Sequence, residues 1–125
     1  MSEFDWVKAR NDCRAESAFR SLSADIVGDM KTRIEHNPTL KHALEYNDVS
    51  PNCFSIRRRE SHEVVFERVD ETIKAVNVHQ SGSEHELITV DVGMNEDGEC
   101  TLRRGDRELL PWQFRRIALE DTFFG

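Results

Sequence analysis

No apolar run in this sequence approaches the roughly 20 residues of a membrane-spanning helix. The opening residues, Met1-Ser2-Glu3-Phe4-Asp5, carry neither the basic nor the apolar region of a secretory leader, so cytoplasmic residence is the expectation. Basic charge is in deficit. With 17 Lys and Arg against 24 Asp and Glu, the net charge is −7. That balance argues against a sequence-independent grip on nucleic acid and against docking on an anionic membrane. It fits a soluble protein, or one that meets a basic partner.

Cysteine is sparse and unpaired in number. Cys13, Cys53 and Cys100 are an odd set with no close spacing and no CxxC, so neither a disulfide framework nor a zinc or redox motif is expected. All three read as structural, Cys100 as a small inward-facing hydrophobe on a strand. Catalytic signatures are missing as well: there is no HExxH, no GxSxG elbow, no P-loop and no dinucleotide fingerprint. Nor are there repeats, low-complexity tracts or linkers, and 125 residues suit one domain over residues 1–125.

What is present is periodicity. Between Phe54 and Leu110, short alternating runs are separated by the turn chemistry of Ser81-Gly82-Ser83, Asn95-Glu96-Asp97-Gly98 and Gly105-Asp106. This pattern predicts an antiparallel meander of six strands with one buried face. Because a one-residue slip turns every side chain over, the register can be sought by placing all apolar residues on one side. Turns around Ser61 and Glu71, loops over residues 81–85 and 95–99, and a Gly105-Asp106 hairpin together satisfy that condition. They pair Ile56 with Phe66, Phe66 with Val76, Val78 with Ile88, Val92 with Leu102 and Leu102 with Leu109. The inner face is then Phe54, Ile56, Val64, Phe66, Val76, Val78, Ile88, Val90, Val92, Met94, Cys100, Leu102 and Leu109.

Helices are predicted on both sides of the meander. Asp5 can cap a long helix over roughly residues 5–36, in which Val7, Ala15, Ala18, Phe19, Leu22, Ile26, Met30 and Ile34 recur at helical spacing. Pro38 ends it, and Asn11-Asp12 or Gly28 are places where it can break. Residues 39–52 read as either a short helical turn or loop. Pro111 suits the first turn of a second helix, about 111–123, with Trp112, Phe114, Ile117, Ala118, Leu119, Phe123 and Phe124 in a wide apolar stripe. The expected fold is therefore α+β: a long N-terminal helix, a six-stranded antiparallel β-meander, and a C-terminal helix packed on one face of the sheet.

Candidate chemistry is thin. His79 and His85 lie beside Glu84 and Glu86 at a loop, but without the three rigid ligands a zinc site needs, and no metal or cofactor is expected. Arg57, Arg58 and Arg59 do not share a strand face, Arg58 pointing in and the others out, so they make no nucleic-acid footprint. Asp25 and Asp29 lie one helical turn apart, and Arg58, Arg68 and Lys74 are predicted to point toward them from strand ends. A small-ligand or catalytic site in the helix–sheet cleft around Asp25, Asp29, Arg58, Arg68 and Lys74 is one reading of that set. The other starts from the outward face, where Val65, Val69, Ile73, Ala75 and Leu87 form a predicted contiguous apolar patch. On it, the protein is a non-enzymatic binding or scaffold domain that self-associates as a homodimer, or takes another protein partner, through the outer sheet face. This second reading is the leading expectation.

Overall fold

A computed structural model describes residues 3–125. The Asp5 carboxylate accepts from the Lys8 N–H at 3.0 Å and starts α1 (Trp6–Asp12). The chain then turns through Cys13-Arg14 and resumes as α2 (Ala15–His36), so the first helical pattern is two helices, broken next to the expected Asn11-Asp12. The free N–H of Ala15 is taken by the Glu71 carboxylate, 56 residues away, at 2.8 Å. A distant acid thus does the work of a local cap. Gly28 passes through α2 without a break. Pro38 begins a short 3₁₀ turn (Pro38–His42) that leads into the sheet.

The sheet has seven strands, not six: β1 (Leu44–Ser50), β2 (Cys53–Arg58), β3 (His62–Val69), β4 (Thr72–His79), β5 (Glu84–Met94), β6 (Cys100–Arg104) and β7 (Arg107–Leu109). All pairs are antiparallel and neighbours in sequence are neighbours in space. The additional strand, β1, comes from the ambiguous stretch before Asn52. Its Leu44 and Tyr46 alternate toward the helices, while Asn47 and Asp48 sit in the strand instead of a loop. The α3 helix (Pro111–Phe124) closes the chain, and its Gln113 side chain accepts from the Leu110 N–H at 2.8 Å.

Helices α2 and α3 cover one face of the sheet, and the core lies between. Aromatic rings run through it from layer to layer. Phe19 of α2 meets Phe54 at 4.9 Å, Phe54 stacks on Phe66 at 4.8 Å, and Phe66 meets Phe114 of α3 at 6.2 Å between centroids. Such contacts add roughly 0.5–1.5 kcal/mol per pair beyond burial.

Three expectations about the meander are corrected. First, β4 is turned over. Val69 pairs with Thr72 around a two-residue Asp70-Glu71 turn, with Asp70 at φ 54°, so Phe66 lies opposite Ala75 and not Val76. Ile73 and Ala75 are therefore core residues at 1% and 0% exposure, while Val76 and Val78 lie on the outer face. Second, the β2–β3 turn centres on Glu60, which pairs Phe54 with Phe66 and leaves the faces as expected. An irregularity between Ala75 and Val76, where the pairing skips Leu87, then restores the parity of β5, so Ile88, Val90 and Val92 face inward as expected. From there the predicted pairs Val92–Leu102, Met94–Cys100 and Leu102–Leu109 are those observed. Third, Cys13 and Cys100 form a disulfide, with Cα atoms 5.3 Å apart, and only Cys53 is free among the described residues. Sequence spacing hid this bond because its two ends are 87 residues apart and meet only in the folded chain.

Among the described residues, no helix is long and apolar enough to cross a membrane.

Candidate functional site

The seam between α2 and α3 leaves a surface groove of about 640 Å³. Its walls follow from helical periodicity. Asp29, Thr32, Arg33 and His36 recur at intervals of three and four on α2, and Trp112, Arg115, Arg116, Leu119, Glu120 and Phe123 do the same on α3. Each helix thus turns one stripe to the core and a neighbouring stripe to the groove. The apolar stripe of α3 is wider than the core consumes: Phe114, Ala118, Leu119 and Phe123 are buried, whereas Trp112 and Phe124 stay 50% and 68% exposed.

The polar groups of the groove are ordered by three arginines. Arg115, itself largely buried, donates from Nε to Asp29 at 2.7 Å and lies 3.5 Å from Asp25. It ties α3 to α2, and its single positive charge offsets one of the two carboxylate charges. Arg116 makes only an exposed contact with Glu120 at 3.5 Å, the kind of pair that contributes little in water. Arg33 is different. Its Nε donates to the Phe123 carbonyl at 2.7 Å, and its guanidinium lies 4.2 Å from the centre of the Phe124 ring. Among the described residues it forms no ion pair. A cation is thus fixed by a carbonyl and an aromatic face, with its remaining N–H donors open to the groove.

The residues of the predicted helix–sheet cleft do not converge. Asp25 and Asp29 are engaged by Arg115 at the helix seam. Arg58 points inward but donates to the Thr122 carbonyl at 2.8 Å, holding the end of α3. Arg68 is bound to Asn52 Oδ1 and the Asp70 carbonyl at the sheet margin. Lys74, on the turned-over β4, pairs across strands with Glu67 and Thr89 on the opposite face. The space between α2 and the sheet is reduced to a pocket of about 90 Å³ lined mainly by Ala18, Leu22, Ile73, Leu102 and Phe114.

Of the predicted outer patch, Val65 and Val69 are on the outer face, Leu87 is packed against the core, and Ile73 and Ala75 are inside it. Val76 and Val78 take the vacated outward places, flanked across strands by Glu63, Glu84 and Glu86. Cys53 lies on the same face, where burial and then the Glu67 and Glu63 carboxylates push its thiol pKa up. That environment makes a poor nucleophile.

Neither a protein family, nor a curated protein, nor a solved structure matches this chain.

Two histidines do come together at the end of the sheet: His62 pairs with His79 across β3 and β4. No group of three or more His, Cys, Asp or Glu is placed to hold a metal among the described residues. Arg33 carried no signal in the sequence, because it gains its role only when α3 folds back onto α2. The surplus width of the α3 stripe was the legible sign that this helix has more than one apolar contact to satisfy.

Proposed function

We propose that this protein is a binding domain whose recognition surface is the α2–α3 groove, and that the groove takes a helical segment of a partner protein with an apolar face edged by carboxylates. The observation that carries this reading is Arg33, held against Phe124 and the Phe123 carbonyl and engaged in no ion pair among the described residues, in a chain of net charge −7. A protein this acidic repels acidic partners except where fixed cations stand clear of carboxylates. The exposed rings of Trp112 and Phe124 flank that point and supply apolar contact. An open trough between two helices suits a third helix laid along it more than a compact ligand.

Self-association through the outer sheet face has less support. It has lost Ile73 and Ala75 to the core, and Val76 and Val78, which take their places, are flanked across strands by Glu63, Glu84 and Glu86.

The test uses Trp6→Ala protein, in which Trp112 is the only tryptophan. It is titrated with a designed helical peptide of about 18 residues, leucine on one face and glutamate at its edges, and with a lysine-edged version. The expected result is a saturable change in Trp112 emission with the glutamate peptide only, weakened about tenfold or more by adding Arg33→Glu. No saturable change, or equal binding of the two peptides, overturns the proposal.

A further inference from the structure

The same chain carries a segment with the chemistry the groove would select. Ahead of and within α1, residues 3–7 read Glu-Phe-Asp-Trp-Val. Phe4, Trp6 and Val7 are 63%, 64% and 59% exposed, and α1 buries no residue at all. Large apolar side chains are thus left in water both on this segment and in the groove, the kind of surface that marks a protein contact. The charges match as well. Glu3 and Asp5 alternate with the aromatic residues of the tip, and the basic residues Lys8 and Arg10 follow it, so the leading end is the acidic one. The groove offers Arg33 without a carboxylate partner and Arg116 with only an exposed one.

A chain cannot make this contact with itself in the fold described. Cys13, at the end of α1, is bonded to Cys100, and Phe4 lies against the β5–β6 turn, where a side chain at Gly98 would come within 2.8 Å of its ring. The arm is therefore held at the start of α2. The groove begins at Asp29, fourteen residues further along α2, which at 1.5 Å per residue is about 21 Å away. The arm is held at one end of the helix layer, and its matching surface lies at the other.

We infer that the N-terminal arm of one copy docks through Trp6 and Val7 into the α2–α3 groove of a second copy. The inference rests on the groove reading above and names an occupant for it. If two copies exchange arms reciprocally, the contact closes as a two-fold pair; if each passes its arm onward, it extends as a chain of copies. In either arrangement the arm occupies the surface that a partner helix needs. Self-association then competes with partner binding, and the protein concentration at which it sets in marks the point below which the groove is free.

The experiment measures solution mass by sedimentation across a wide concentration range for three full-length proteins: wild type, Trp6→Ala and Arg33→Glu. Wild type is expected to gain mass with concentration, and each variant to remain a monomer. An equimolar mixture of the two variants is the decisive arm. Trp6→Ala keeps an intact groove and Arg33→Glu keeps an intact arm, so the mixture alone regains mass, and only up to a pair of chains. Phe124→Ala replaces Arg33→Glu if that variant shows a disturbed fold by circular dichroism. A wild type that is monomeric at every concentration, self-association that survives both variants, or a mixture that stays monomeric overturns the inference. The designed glutamate-edged peptide distinguishes a failure of the arm exchange from a failure of the groove. If it binds Trp6→Ala protein while wild type is monomeric, the groove reading stands and the arm exchange alone fails. If the peptide does not bind and wild type is monomeric, both fail.

Discussion

His62 shows how a single side chain holds the layers together. Its Nε2 lies 2.8 Å from the hydroxyl of Thr122, a buried residue of α3, and its Nδ1 lies 2.8 Å from the Ser61 hydroxyl. With the Arg58 bond to the Thr122 carbonyl, it fastens the last turn of α3 to the sheet. Burial, and then the positive charges of Arg58 and His79, lower its pKa from the ordinary 6.5, with Asp121 acting in the opposite direction. The unfolded chain therefore takes up this proton at a higher pH than the native protein does. The stability contributed by the neutral imidazole is complete above the ordinary value and drains away as pH falls from there toward the lower native value. Urea unfolding at about pH 7.5 and about pH 5.5 is expected to show a loss of stability on acidification that is smaller in His62→Gln. An identical loss in the variant would mean that other groups carry the whole effect.

At the level of elements, the orientation of β4 decides which face of the sheet is surface. Ile73 and Ala75 point into the core, and Val76 and Val78 point out. A matched pair of lysine substitutions reads this directly. Ile73→Lys buries a cation among Leu22, Leu102 and Phe114 and is expected to cost at least about 3 kcal/mol, whereas Val76→Lys, opposite Glu86, is expected to change stability by no more than about 1 kcal/mol. Equal losses in denaturant midpoints would return β4 to the opposite register. The reason the sequence misplaced this strand is physical. Both of its alternations are apolar, Ile73 and Ala75 on one and Val76 and Val78 on the other, so hydrophobicity alone does not choose between them. The choice is made by the Asp70-Glu71 turn, which lacks the glycine that usually marks a two-residue hairpin. Where glycine is present, at Gly105-Asp106, the sequence predicts the pairing as found. The β1 strand was obscured because an edge strand with one solvated face carries polar residues such as Asn47 and Asp48 at the positions where a loop would. The groove was obscured for a different reason: Arg115 reaches Asp29 across 86 residues, and no local pattern encodes which stripe of α3 will face α2.

For the whole molecule, the Cys13–Cys100 bond is the constraint of longest reach. It joins the hinge between α1 and α2 to the first residue of β6, so the loop it closes contains α2 and five strands. In the chain-entropy account, closing a loop of this size removes roughly 4–5 kcal/mol of freedom from the unfolded state. Natively the bond also fixes α1, which has no buried residue to hold it. Such a bond persists under oxidising conditions and opens where thiol reductants are abundant, so the placement of the arm depends on the redox environment. Reduction with a dithiol, which takes the two electrons and protons back onto Cys13 and Cys100 as the reductant forms its own disulfide, is expected to lower Tm by about 10–15 °C. Cys100→Ser is expected to show the same lowered Tm and no further response to reductant. Cys53→Ser, which leaves the bond intact, keeps the full difference between the oxidised and reduced protein. Thiol titration of the native oxidised chain, unfolded in denaturant, should find Cys53 alone. Three reactive thiols, or a melting curve indifferent to reductant, would show that the fold is held without the bond and that the arm is free at the start of α2.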